Sequence, residues 1–183
     1  MIPLRKINSL LVIIMILMFV NHAVLSLLFL YGLIDYSPSF KITGRRLFYP
    51  LVLHIIISSY LYLKDKMRKN KVYPKLIAET TQQFITGICI VIFVGLHIFS
   101  YMMLPINFSS EFHFKLLHFL IDILLFASIS MHLRVSIPRL LVSFGFLDNK
   151  NSFVNFKDKF NLTICILLLI AILAEIVYYG VIL

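Results

Sequence analysis

The stretch LLVIIMILMFVNHAVLSLLFLYGL, residues 10–33, decides the fold class of this chain. It is almost entirely apolar and contains no Lys, Arg, Asp or Glu. A helix needs about 20 apolar residues to cross roughly 30 Å of hydrocarbon. The stretch is longer than the apolar region of a secretory signal peptide, about 7–15 residues, and lacks a small-residue cleavage site. It therefore predicts a transmembrane helix.

Four more apolar stretches follow, and the predicted spans are residues 8–34, 47–63, 82–104, 113–141 and 160–183. Of the 183 residues, 61% are hydrophobic and only 14% are charged, which is too apolar for a soluble domain. Backbone groups in lipid must be satisfied internally, and no alternating barrel pattern appears, so the spans are helices. We predict an all-α, multi-pass protein of the inner or plasma membrane, with residues 1–183 forming one domain, a five-transmembrane-helix bundle.

Lys and Arg are distributed unequally between the two ends of these spans. With the N-terminus inside, thirteen lie on inner segments and four on outer ones. The positive-inside rule then predicts a cytoplasmic N-terminus and a C-terminus outside. This topology explains the net charge of +9 without nucleic-acid binding. The inner residues are Arg5, Lys6, Lys64, Lys66, Arg68, Lys69, Lys71, Lys75, Arg134, Arg139, Lys150, Lys157 and Lys159; the outer ones are Lys41, Arg45, Arg46 and Lys115.

Four successive spans carry histidine: His22, His54, His97 and His132. Ionisable side chains are costly in hydrocarbon and tend to persist there where they bind a metal or relay protons. Neutral imidazole is an ordinary axial ligand of haem iron, so the pattern predicts bound haem b. Zinc fits less well, because no H-x-x-x-H, H-x-x-E-H or C-x-x-C spacing occurs. The alternative is that these histidines only form hydrogen bonds between helices.

Depth in the membrane separates the candidate ligands. His22 and His97 lie at depths compatible with one haem in the outer half. His54 and His132 differ in depth by about 15 Å on these span boundaries, and His118, about 21 Å from His132, suits His54 better. Asp122 lies one turn from His118, so we predict that these two residues transfer protons.

Other polar groups lie near the expected haem and quinone positions. Gln83 and Thr86 share a helix face with His97, so they could bind a quinone carbonyl or a haem propionate, or join helices. Glu175 lies close enough to the outer surface to be interfacial. Arginines at span ends are further candidates for propionate contacts, although such arginines usually bind lipid headgroups. These are Arg45, Arg46, Arg134 and Arg139.

Two stretches resemble the five-helix cytochrome b membrane anchor of the succinate dehydrogenase and fumarate reductase family. QQFITGICIVIFVGLHIF, residues 82–99, is similar to the family helix with a Thr-Gly pair and a haem histidine ten residues after that glycine. MHLRVSIPRLLVSFGF, residues 131–146, resembles the helix in which a histidine precedes an arginine-containing segment and a closing glycine. The order of four histidine-bearing helices and one without also agrees.

This resemblance implies two haems b, with His22 paired to His97 and His54 paired to His132. It also implies menaquinone or another quinone as diffusible substrate, and cytoplasmic flavoprotein and iron–sulfur partners. The length and positive charge of the inner segments 64–75 and 148–159 predict that these partners dock there. The chain would then transfer electrons as a subunit and not be catalytic alone. The alternative is a haem-free transporter subunit or structural anchor, although no inverted repeat supports transport.

Overall fold

The protein is helical throughout the residues that the computed structural model describes, which are 3–67, 74–103 and 112–182, apart from short connections. The helices there are α1 (Leu4–Leu30), α2 (Pro38–Met67), α3 (Pro74–Met103), α4 (Phe112–Ser143) and α5 (Lys150–Val177), and a π-helical segment, Tyr178–Ile182, follows α5. All five are long and apolar enough to cross a membrane. The predicted all-α fold with five transmembrane helices is confirmed, and the orientation of the termini stays a prediction.

Glycines in the left-handed region end two of the helices. Gly32 has φ 68°, and the amide of Leu33 bonds the Leu28 carbonyl at 2.9 Å. Gly145 has φ 77°, and its neighbour Phe146 makes the equivalent bond after α4. Both ends are Schellman motifs, in which a glycine tolerates the positive φ that satisfies the last carbonyls. The first span therefore ends at residue 30 instead of the predicted 34, and the fourth reaches 143 instead of 141.

Three helices begin at residues that precede their apolar runs in the sequence, because a capping side chain or a proline starts them. The side chain of Asn149 accepts a hydrogen bond from the Ser152 amide at 2.8 Å, so α5 begins ten residues before the predicted residue 160. Proline occupies the first position of both α2 and α3, where its missing N–H costs nothing. The predicted starts at residues 47 and 82 consequently lie inside these helices.

The helices form two compact units, residues 1–77 and 78–183. In the first, α1 and α2 pack together, and Arg5 near the start of α1 makes a bidentate ion pair with Asp65 near the end of α2, at 2.7 and 2.8 Å. In the second, Glu79 of α3 pairs with Lys157 of α5 at 3.3 Å. The single domain over residues 1–183 stays a prediction. Parts of the topology prediction lie outside the described residues: Arg68, Lys69, Lys71 and Leu183, with the side chains of Lys75 and Lys115.

Candidate functional site

His22 of α1 is hydrogen-bonded to α2 within the first unit. Its Nδ1 lies 3.2 Å from Thr43 Oγ1, and the Thr43 hydroxyl donates its one hydrogen to the Phe40 carbonyl at 2.8 Å. The hydroxyl must therefore accept from His22, so a neutral ring carries its hydrogen on Nδ1 and its lone pair on Nε2. A Cβ on Gly44 would lie 3.4 Å from His22 Cε1. Glycine at this position lets the imidazole pack closely against α2.

His54 makes the reciprocal contact, from α2 to α1. Its Nδ1 lies 3.0 Å from Asn8 Oδ1, an amide oxygen that can only accept. Ser58, one turn along α2, donates to the same oxygen at 3.5 Å. His54 therefore has the same tautomer as His22, with the hydrogen on Nδ1.

His132 of α4 bonds the start of the apolar part of α3 within the second unit. Its Nδ1 lies 3.1 Å from the backbone carbonyl of Gln83 and 3.1 Å from Thr86 Oγ1. Because a carbonyl can only accept, His132 donates from Nδ1. A Cβ on Gly87 would lie 3.6 Å from His132 Cε1. The Thr-Gly pair that carries the family resemblance is thus the surface against which this imidazole packs.

His97 belongs to a closed ring of polar groups between α3 and α4. Its Nδ1 lies 2.6 Å from Asp122 Oδ1, and the other carboxylate oxygen, Oδ2, lies 3.2 Å from His118 Nε2. His118 Nδ1 lies 2.6 Å from Ser100 Oγ, and Ser100 donates to the His97 carbonyl at 2.8 Å. Ligand atoms of the two histidines and the aspartate lie within 4.8 Å of one another, a spacing that also suits a metal ion.

Both nitrogens of His118 have protein partners, and so do both nitrogens of His54, whose Nε2 lies 3.4 Å from Ser58 Oγ. Ser100 gives its hydrogen to a carbonyl, so it accepts from His118 Nδ1. His118 Nε2 lies 3.2 Å from Asp122 Oδ2, and a hydrogen bond between these atoms requires one further proton on either of them. His118 and Asp122 are 1% and 4% exposed, so this contact is shielded from solvent. Asp122 additionally bonds His97, and proton transfer by His118 and Asp122 stays a prediction.

Glu175 of α5 is buried within the protein, and its expected position near the outer membrane surface stays a prediction. It is 1% exposed, and its Oε2 has no hydrogen-bond partner among the described residues. The ring of Tyr179, one turn farther along, lies 6.0 Å from that of His118. The end of α5 therefore packs beside the polar ring and brings a second carboxylate into its surroundings.

The predicted arginines fall into two groups. Arg139 donates to Gln83 Oε1 at 3.0 Å, and Arg134 donates to Asn161 Oδ1 at 3.0 Å. Neutral amide oxygens accept both bonds, so neither bond neutralises a guanidinium charge. Arg45 and Arg46 are exposed on α2.

Some residues that were predicted to have separate roles contact one another in the structure. Gln83 and Thr86 both contact His132, and Asp122 contacts His97 as well as His118. Each predicted haem pair takes one histidine from each unit, so both pairs stay predictions. Three hydrogen-bond partners were not foreseen: Asn8, Thr43 and Ser100.

A signal for one of these partners was present in the sequence. Asn8 is a polar residue at the edge of an apolar run, where an amide generally requires a partner. Thr43 and Ser100 could not be selected in this way, because hydroxyl residues in helices usually bond the carbonyl of the preceding turn. No family model, curated protein or solved structure matches this chain.

Proposed function

We propose that this chain is a haem b-binding membrane subunit that exchanges electrons between a membrane quinone and a cytoplasmic flavin/iron–sulfur oxidoreductase. The oxidoreductase would be of the succinate dehydrogenase or fumarate reductase type. One observation carries the proposal: all four predicted ligands, on four different helices, bond a protein acceptor through Nδ1. The ligands are His22, His54, His97 and His132.

The chemistry of these donors fits haem iron. A metal-binding histidine usually donates its second N–H to a carbonyl or carboxylate, which fixes the tautomer and the ring orientation. Here a hydroxyl, an amide oxygen, a carboxylate and a backbone carbonyl fill that role, so a neutral ring that donates from Nδ1 has its lone pair on Nε2. To bind iron, His54 would have to exchange the contact of its Nε2 with Ser58 Oγ, at 3.4 Å, for the metal. His118 bonds Ser100 and Asp122 through its two nitrogens, so it would have to break one of these bonds to bind iron.

The residues of the chain would perform three tasks. The four histidines bind the iron, and the long apolar helices exclude water from it. Haem b supplies one-electron redox chemistry when bound. Guanidinium groups bind carboxylates such as haem propionates, so Arg134 and Arg139 would serve as propionate contacts near the ends of the spans. Thr86 holds His132, so a ligand-positioning role suits it better than the predicted propionate or quinone contact.

The proposed partners would supply the flavin and the iron–sulfur centres. No flavin or iron–sulfur motif occurs in the sequence, so substrate chemistry would belong to other subunits and this chain would not be catalytic alone. The basic segments 64–75 and 148–159 would dock those subunits on the cytoplasmic side of the inner or plasma membrane, where acidic partner surfaces complement them. Lipid surrounds the apolar helices, and quinone would reach them through the bilayer.

A haem-free membrane protein is the second candidate, and a specific observation favours it. The bonds of His22 and His54 join α1 to α2, and those of His97 and His132 join α3 to α4. Histidines that only join helices would make the same contacts. The two candidates differ in whether the purified protein absorbs as a b-type cytochrome.

Reduction by a quinol tests the electron-transfer part of the proposal. Adding a reduced naphthoquinol to the oxidised, detergent-purified protein is expected to produce the absorption bands of ferrous haem b. The matched control is the same compound in its oxidised form, which has no electrons to give. Bands that appear with dithionite but never with the quinol would contradict the quinone-linked function while leaving haem binding intact.

A further inference from the structure

We propose that Asp122 is a positioning residue that lowers the reduction potential of the haem bound by His97. This inference rests on the proposed function, since it assigns a task to a residue that would touch an axial ligand and not the iron. It follows from the hydrogen-bond acceptors of the four histidines, which are chemically unequal.

Asp122 supplies a carboxylate oxygen as the acceptor of His97. Its Oδ1 lies 2.6 Å from His97 Nδ1, a short distance that is typical of charge-assisted hydrogen bonds. His22, His54 and His132 bond a hydroxyl, an amide oxygen and a backbone carbonyl with a hydroxyl, at 3.0 to 3.2 Å. An anionic acceptor pulls the Nδ1 hydrogen more strongly than a neutral one does.

The polar ring keeps Asp122 in this orientation. His118 Nε2 contacts the second carboxylate oxygen of Asp122, and His118 Nδ1 bonds the Ser100 hydroxyl. Ser100 in turn donates its hydrogen to the backbone carbonyl of His97. With the shared proton on His118, Asp122 is anionic, and its Oδ1 accepts from His97. Because Asp122 and His118 are buried, water does not compete for these bonds. The ring therefore fixes His97 from both its side chain and its backbone.

The effect on the iron follows from ligand basicity. A carboxylate on Nδ1 makes the imidazole a stronger electron donor at Nε2, as in carboxylate–histidine–metal triads. A stronger donor stabilises ferric iron more than ferrous iron, so the reduction potential falls. Asp122 would therefore lower the potential of the haem that His97 binds.

A metal ion in the polar ring is the competing interpretation of the same residues. The atoms are close enough, but the bonds already use His97 Nδ1, both nitrogens of His118 and both oxygens of Asp122. An ion would have to displace the hydrogens of these bonds, whereas the ring satisfies each donor and acceptor without one. We therefore assign the ring to positioning.

The test is spectroelectrochemical titration of Asp122→Asn, which removes the charge and keeps the shape. Both haems are expected to remain. The reduction equilibrium of one haem should shift about tenfold toward the ferrous form, which raises its potential by about 59 mV for one electron. Glu175→Gln is the matched control, since it removes the charge of a second buried carboxyl group of the same unit, whose Oε2 has no hydrogen-bond partner among the described residues. It is expected to leave both potentials in place.

Each outcome decides the proposal. Unchanged potentials in Asp122→Asn, or an equal rise in Glu175→Gln, would overturn it. If Asp122→Asn loses the haem of His97, Asp122→Glu should retain it, and loss from both variants would assign Asp122 to folding instead. Stoichiometric zinc in the wild-type protein that disappears in Asp122→Asn would assign the ring to a metal. Wild-type protein without haem would contradict the proposed function itself, a result distinct from all of these.

Discussion

Replacing His97 with alanine is expected to remove one whole haem, and replacing His22 is expected to remove the same one. A bis-histidine haem loses its site when either ligand is truncated, so the His22→Ala/His97→Ala double variant should lose no more haem than either single variant. Haem content and reduced-minus-oxidised spectra measure this. If the two single variants remove different haems, the predicted pair is wrong.

The other two ligands provide the matched comparison. His54→Ala and His132→Ala are each expected to remove the second haem and leave the first. His118→Ala is the control on the same helix as His132, and it should retain both haems because both nitrogens of His118 are committed to Ser100 and Asp122. Loss of a haem from His118→Ala, with His132→Ala unaffected, would show that depth along the spans was the better guide.

Reporter fusions are expected to give an all-or-none result for topology. Thirteen Lys and Arg on one side against four on the other predict that the segment around Lys69 is cytoplasmic and that Leu183 lies outside. A reporter that works only in the cytoplasm should be active in the segment around Lys69 and inactive after Leu183. An alkaline phosphatase fusion, which works only outside, is the control and should give the opposite pattern. A C-terminal reporter active only in the cytoplasm would reverse the orientation.

The number and type of the helices follow from apolar runs, because the length of a membrane span is set by the bilayer. The helix ends do not follow from those runs. Gly32 and Gly145 end helices through their backbone conformation, and Asn149 begins α5 ten residues before residue 160, within a polar segment. A hydropathy argument weighs only the apolar part, so it places these boundaries too early or too late by several residues.

The candidate site was predictable as a set of residues but not as a set of contacts. Polar residues inside apolar runs identify His97, His118 and Asp122 without any structure. Helical spacing also predicts that His118 and Asp122 meet, since they are four residues apart. The bond between His97 and Asp122 joins two helices, so it depends on how each helix is rotated and how far it slides. The sequence contains no local signal for either quantity.

The ratio of haem b to protein in the purified chain tests the central claim most directly. The protein would be produced in haem-replete cells, extracted in mild detergent and quantified by a pyridine haemochrome assay against total amino-acid analysis. We predict one or two non-covalent haems b per chain, with the higher value when both histidine pairs form. Protein that is helical by circular dichroism, yet contains no haem and shows no Soret band, would contradict the proposal and favour histidines that only join helices.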